Sequence, residues 1–371
     1  MYSREVLHWL NHREGIAMES IVELLRDLEA IPSPSGYTAE LVAHLETLTN
    51  RAGIPSQRTR KGGLVVAGHP SPTLLLAGHV DTLGAMVSRI NPDGHLSITK
   101  IGGPILPSFE GEYASICTTA GKSFRGTLLL LNPAAHVNKE AESTVRSIEK
   151  MFVRLDAEVD SRADTEALGI QVGDYVCFDP RFECTDTGYI KSRFLDDKAG
   201  SAVMLDVLLA LGAEELRRLP VAFFFSVYEE VGHGGASGIP ASVQEMLVVD
   251  MGVVGDKVAG DERAVSICAK DSGGPYDYAM RCKLTELART LGIPFRVDVF
   301  PFYGSDGGAA LRAGHDLRVG LIGPGISASH GMERAHLKGL QATRELMMAY
   351  IQASCESGLS TTGIRNPAAV S

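Results

Sequence analysis

Apolar positions along the chain follow two kinds of pattern. Over 16–31, Ile21, Leu24, Leu25 and Leu28 recur at the spacing of one helix face, which predicts an amphipathic helix. The turn-rich IPSPSGY follows, then a second helical pattern over 38–51. Short apolar runs bounded by Gly and Pro come next, LVVA at 64–67 and TLLLA at 73–77, and predict strands buried on both faces. Similar runs recur at 220–227, 246–250, 295–300 and 318–322, separated by helical patterns at 196–217, 275–291 and 337–354. Alternating helices and wholly apolar strands predict an α/β fold with a helix-covered, largely parallel sheet.

Residues 84–190 differ. Segments such as GHLSITKIGG, YASICTTAGKSFRGTLLLL and IQVGDYVCFDP are short, glycine-punctuated and alternating, as in a small β-barrel or sandwich. Within them only 138–153 predicts a helix. The expected organisation is a discontinuous α/β catalytic domain, 1–83 and 191–356, with a small β-barrel domain, 84–190, inserted into it. The tail 357–371 is small and polar and is expected to be disordered.

The apolar runs end in ligand-type residues: His79 and Asp81 in LLLAGHVD, Asp196 in RFLDD, Glu229 and Glu230 in FFFSVYEEVG, Asp250 in MLVVD, and His330 in SASHGMER. Singly, most have a bland account. His-x-Asp is common by chance, and an aspartate opening a helix is often a cap. Glu229 and Glu230 are the exception, because adjacent acids behind a buried strand are costly unless positive charge neutralises them. Together the residues lie where open α/β sheets keep their sites. A binuclear metal hydrolase needs a bridging carboxylate with histidine and carboxylate ligands on each side. A hydroxide bridging the ions would attack, and a free glutamate would move its proton to the leaving amine. Period-two alternation puts His79 and Asp81 on one face, so that Asp81 can orient His79.

Composition narrows the classes. The chain has 371 residues, 44% hydrophobic and 22% charged, with a formal net charge of -10. The acidic balance argues against nucleic-acid or anionic-membrane partners. No secretory signal and no membrane span is expected, and six scattered cysteines without a CxxC pair suit a reducing cytoplasm. A serine-hydrolase elbow GxSxG and a phosphate loop GxxxxGK[ST] are both missing from the sequence.

The motifs GHVDTLGAMV, IKSRFLDDKAG, EEVGHGGASG, VVDMG, YGSDGGAA and SHGMERAH resemble, in order and spacing, those of the M42 metallopeptidases, the glutamyl aminopeptidase and cellulase-like group. The likeness runs from about residue 16 to 355. It implies two divalent ions per subunit, zinc by expectation, with cobalt and manganese also suited. His79 and Asp250 would complete one metal site, Glu230 and His330 the other, and Asp196 would bridge them. Glu229 would be the general base. The insert would serve dimerisation, with dimers building to a dodecamer, and His136 would reach a neighbouring subunit's site as an oxyanion donor. The sequence departs from the family at SASHGMER, where many members have YxHSPxE, and at GSDGG in place of GTDA, which leaves specificity open. Asp306 in that loop either receives the ammonium of a substrate or forms a turn. Lys270, Asp271 and Tyr276 either shape the pocket or form a turn and a helix start. The expected activity is cleavage of N-terminal peptide bonds of small peptides. The alternatives are a deacylase resembling the M20 group, a specialised dipeptide or amide hydrolase, in an osmoprotectant pathway for one, and a silent assembly protein on the same fold.

Overall fold

The computed structural model describes residues 14–356. Helices α1 (Glu14–Ala30) and α2 (Ala39–Arg51) precede strands β1 (Ser56–Arg58), β2 (Leu64–Ala67) and β3 (Leu74–His79). The chain then builds β4 (Gly84–Ile90), β5 (Leu96–Ile101), β6 (Tyr113–Cys117), β7 (Ser123–Leu130), β8 (Met151–Leu155), a short helix α3 (Arg162–Ala167) and β9 (Tyr175–Phe178). It continues through β10 (Glu183–Cys184), β11 (Tyr189–Ser192), helix α4 (Leu195–Arg218), β12 (Val221–Ser226), β13 (Glu245–Val249), β14 (Gly252–Val254), β15 (Val265–Asp271) and β16 (Gly274–Pro275). Helix α5 (Tyr278–Leu291), β17 (Phe295–Val299), α6 (Asp306–Arg312), β18 (Arg318–Ser327), β19 (Glu333–His336) and α7 (Leu337–Glu356) complete it.

The strands form one large sheet and one closed barrel. The sheet runs β1-β2-β12-β3-β13-β18-β19-β11-β10, with β14 to β17 branching beside β18. Its centre, β12-β3-β13-β18, is parallel, so β12, β3 and β13 deliver their carboxyl ends to one edge. These strands read as continuous apolar runs because both faces are covered. Leu74, Leu76, Phe223 and Phe225 pack in the cluster that contains Leu25, Leu28, Leu205 and Tyr350 from the helices. Leu75, Ala77, Phe224, Met246 and Val248 pack in the opposite cluster, with Phe300 and Ala310. Each fully buried phenylalanine is worth about 1.5–3 kcal/mol of transfer free energy.

Strands β4-β5-β8-β7-β6-β9 close the barrel around its own core of Val87, Ile98, Ile116, Leu128, Val153 and Val176. The expected helix over 138–153 is not there. Residues 138–147 are turns and bends, Ile148–Lys150 is one 3-10 turn, and Met151 onward is β8. The Thr144 hydroxyl bonds the Glu140 carbonyl, and β8 finds a full ladder on β7 that outweighs helix propensity. Helix α3, which the pattern did not suggest, is capped by the Ser161 side chain. Strand β10 and the first two residues of β11 fall inside the segment expected to belong to the insert, yet β10 pairs with β11 and β11 with β19 in the large sheet. The tail from 357 lies outside the described residues. No helix among the described residues is long and apolar enough to cross a membrane.

Candidate active site

The edge where β3, β12 and β13 end carries the site. His79, the last residue of β3, is 1% exposed. Its Nδ1–H donates to the Asp81 carbonyl at 2.9 Å, which leaves Nε2 facing Asp196 Oδ1 at 3.2 Å and Glu229 Oε2 at 3.9 Å. Asp196 opens α4 with non-helical dihedrals, and its peptide bond to Asp197 is cis. Its other carboxylate oxygen lies 3.6 Å from His330 Nε2, which in turn is 3.6 Å from Glu230 Oε2. One aspartate therefore sits between two imidazoles, one oxygen to each.

His330 is held in the left-handed region, φ 62°, by two neighbours. Its amide donates to Glu333 and its Nδ1–H donates to the Gly103 carbonyl at 3.1 Å. Gly103 follows β5, so the barrel orients a residue of the sheet. Glu333 also accepts the Asp196 amide at 3.0 Å. Asp250 follows β13 directly and is buried, and the Tyr303 hydroxyl beside it donates to the Met251 carbonyl at 2.8 Å. Asp81 does more than face His79. Its carboxylate stands 3.7 Å from the His79 ring, and its shorter bonds come from the Ser35 hydroxyl and the amides of Glu229 and Glu230.

Charge is the dominant feature. Burial first, and then neighbouring carboxylates, push Glu229, Glu230 and Asp250 up, Asp250 to about 7. Burial works the same way on Asp196, but the two histidines outweigh it and pull its carboxyl down. Burial would lower His79, and the Asp196 bond with the surrounding acids more than reverses that. Glu230 Oε1 is buried with no partner. Two imidazoles whose Nε2 atoms face a shared aspartate, with further carboxylates beside them, make a nitrogen–oxygen donor set that fits divalent ions of the zinc class. Ligand atoms of His79, Asp196 and Glu230 lie within 4.8 Å of one another.

The sequence profile described as M42 glutamyl aminopeptidase matches residues 62–346, which includes His79, Asp81, Asp196, Glu229, Glu230, Asp250 and His330. The chain belongs to the M42 family of peptidases. It is 46% identical over 341 residues, 91% of this chain and 98% of the relative, to the provisionally assigned aminopeptidase YhfE of Bacillus subtilis. It is 26% identical over 286 residues, 75% of this chain and 81% of the relative, to the lysyl aminopeptidase of Pyrococcus furiosus. Its fold is similar to that of aminopeptidase APDkam598 from Desulfurococcus kamchatkensis, with TM-score 0.80 and 22% identity over 94% of this chain and 99% of the other. The TET1 peptidase of Pyrococcus horikoshii, which assembles into a tetrahedron or an octahedral shell, has TM-score 0.80 at 23% identity over 90% of this chain and 99% of the other.

In this M42 peptidase the cluster opens into a cleft of roughly 870 Å³. Asp196, Glu229, Glu230, Asp250 and His330 line its floor. Ile105, Val253, Val299 and Phe302, the last 98% exposed, supply apolar wall, and Asp256 and Lys257 add charge. Asp306 is not on that wall. It is 1% exposed at the start of α6, takes the Ser226 hydroxyl, and lies under Gly234 of the loop that follows Glu230. His136 stands exposed on the excursion between β7 and β8, and the fold of a single chain does not bring it to the cleft. Asp271 accepts the Tyr276 hydroxyl and the amides of Gly273 and Gly274, and Tyr276 also meets Ser305, the cap of α6. Lys270 Nζ bonds the Asp271 carbonyl, so these residues brace α6 from outside the cleft.

Three supporting residues escaped the sequence. Glu333 stands in SHGMER three places after His330, which was its only signal. Ser35 and Lys61 carried none. Lys61 Nζ bonds the carbonyls of His233 and Gly234, at 2.7 Å to the latter, and so clamps the loop carrying Glu229 and Glu230.

Proposed function

We propose that the protein is a metal-dependent aminopeptidase that cleaves the N-terminal peptide bond of small peptides at a two-metal centre. His79 and Asp250 would hold one ion, Glu230 and His330 the other, and Asp196 both. The observation that carries this is Asp196 presenting one oxygen to His79 and the other towards His330, whose Nε2 also faces Glu230. Two divalent ions bound there supply the positive charge that offsets the buried acids, polarises the scissile carbonyl and acidifies water.

The side chains do the rest. Glu229 adjoins His79 and lines the cleft floor, where its carboxylate takes a proton from the attacking water and returns it to the leaving amine nitrogen. Asp81 fixes both participants, His79 by its backbone carbonyl and the Glu229 amide by its carboxylate. The apolar wall from Ile105 to Phe302 takes the substrate side chain and sheds water from the cleft. The acidic surroundings favour a free ammonium at the substrate end over a carboxylate, which argues for an exopeptidase acting from the amino end. Zinc suits the donor set, with cobalt and manganese next. Assembly through the barrel, as dimers that build a larger shell, is supported by likeness to particle-forming structures.

The deciding experiment replaces Glu229 by Gln and assays aminoacyl-anilides beside N-acyl amino acids. Turnover of the anilides should fall at least about 100-fold with two ions still bound, in the range expected for losing a general base. Asp196→Asn should lower metal occupancy as well. Full activity of the Glu229 variant, or a wild type that turns over only the N-acyl substrates, would overturn the assignment.

A further inference from the structure

On the outer wall of the barrel, β6 and β9 run antiparallel with Ser115 opposite Cys177 and Cys117 opposite Tyr175. Ile116 and Val176 between them point into the barrel core, so alternation puts both cysteines on the other face. Their sulfurs are 3.9 Å apart. Cys177 is buried, Cys117 is half-buried, and both are free thiols. The peptidase chemistry uses neither.

We propose that Cys117 and Cys177 form a thiol–disulfide exchange site for low-molecular-weight disulfides, Cys117 attacking and Cys177 resolving. The Cys117 thiolate attacks one sulfur of the small disulfide, whose S–S bond breaks, and one small thiolate leaves with the electron pair. Cys177 then attacks Cys117 of the mixed disulfide and gives its proton to solvent, and the second small thiolate leaves. The protein gives up two hydrogens and two electrons, and the small disulfide is reduced to two thiols. The surroundings suit those roles. The Cys177 thiol, with the Tyr37 and Ser123 hydroxyls, pulls Cys117 down to about 6 against burial, while the same sulfur pair and burial push Cys177 up.

The pair is linked to the active site through one loop. The rings of Tyr37 and Tyr175 pack 5.1 Å apart. The Tyr175 and Tyr228 hydroxyls both border Gly36, which has φ 91°. Between Pro34 and Gly36, Ser35 donates to the Asp81 carboxylate at 2.5 Å, and Tyr228 directly precedes Glu229. Joining Cys117 to Cys177 draws the two strands together beneath Tyr37 and Tyr175. It thereby shifts the loop that holds Asp81, and turnover slows.

The test incubates the metal-loaded, full-length enzyme with oxidised glutathione. The expected result is a linked Cys117–Cys177 peptide in a non-reducing map and a fall in kcat of roughly threefold or more. Dithiothreitol should restore kcat, and Cys117→Ser and Cys177→Ser should keep basal kcat and lose the response. Alkylation of Cys117 should be nearly flat above pH about 7, whereas an ordinary thiol of pKa about 8.5 gains close to tenfold per pH unit below that value. Tyr37→Phe should move the Cys117 plateau to higher pH. The map and the alkylation profile need no substrate, so they separate this site from the peptidase assignment. Glutathione adducts at other cysteines without the linked pair, or a linked pair with unchanged kcat, overturns the proposal.

Discussion

The Asp81 carboxylate accepts the backbone amide of Glu229 at 3.1 Å. This bond joins the end of β3 to the turn after β12, so His79, proposed as a metal ligand, and Glu229, proposed as the base, share one anchor. Asp81→Asn keeps the shape but turns one oxygen into an amide NH2, a donor that then faces the donor of Ser35 or of the Glu229 and Glu230 amides. Losing such an outer partner typically costs 10–100-fold. Turnover should fall by about that factor, with a smaller loss of bound metal than in Asp196→Asn. Steady-state kinetics beside metal analysis checks this, and a kcat within twofold of wild type, a factor worth only about 0.4 kcal/mol of barrier, would show the anchor to be dispensable.

Lys61 is the second support of the same loop. Its ammonium bonds two carbonyls, of His233 and Gly234, and faces the buried carboxylates of Asp306 and Asp81. Lys61→Met retains the aliphatic stem and removes both bonds. The expected result is a kcat lower by about tenfold, as for about 1.4 kcal/mol of lost positioning, with metal content and KM little changed. A fall in metal content as large as the fall in kcat would mean that Lys61 acts on the ligands and not on Glu229.

The strand-end residues were legible because charge at the mouth of a buried strand is expensive and so informative. His79, Glu229, Glu230 and Asp250 each follow a run that the sheet buries on both faces. Glu333 was not legible in this way. It acts on Asp196 from 137 residues away, from a four-residue strand, and only the tertiary fold makes that contact. Lys61 lies in a polar turn, where a lysine ordinarily meets water. At 138–153 the pattern suggested a helix, but 138–147 are turns and bends, and from Met151 the β7–β8 ladder, which no local pattern encodes, prevailed. The sequence left Asp306 open between a substrate contact and a turn, and it is buried where the loop of Gly234 and Gly235 closes over it.

Glu29 and Lys198 are both buried behind the site, near enough for their charges to attract but without a direct bond. Lys198 Nζ donates to the carbonyls of Leu28 and Ile31 at 2.9 Å each and so pins the end of α1 to α4. Burial outweighs the attraction of Lys198 and pushes Glu29 up to about 8. In the unfolded chain this carboxyl ionises near 4.5. Its contribution to stability is therefore fully present below that value and is lost as pH rises towards 8. A tenfold change in proton affinity is worth about 1.4 kcal/mol, so the loss is on the order of a few kcal/mol. Glu29→Gln removes the titration. Chemical denaturation from pH 5 to 8.5 should show the variant gaining on the wild type as pH rises, and a constant difference would place the Glu29 carboxyl near its ordinary range.

Metal removal should make stability depend on pH in the same direction. Without bound cations, burial and the neighbouring acids hold Asp250 up at about 7 and push Glu229 and Glu230 up as well. A raised carboxyl favours the folded state below its unfolded value, near 3.8 for Asp250, and loses that contribution as pH rises through 7. The metal-free protein should thus weaken steadily between pH 6 and 8, as protons that had replaced the missing positive charge are lost. Metal ligands must be deprotonated, so the loaded protein has no such protons to lose and gains affinity over the same window. The Tm difference between zinc-loaded and chelator-treated protein should therefore be wider at pH 8 than at pH 6. Scanning calorimetry of both forms at the two values decides it, and an equal difference would mean that the buried acids are neutralised by something other than the ions.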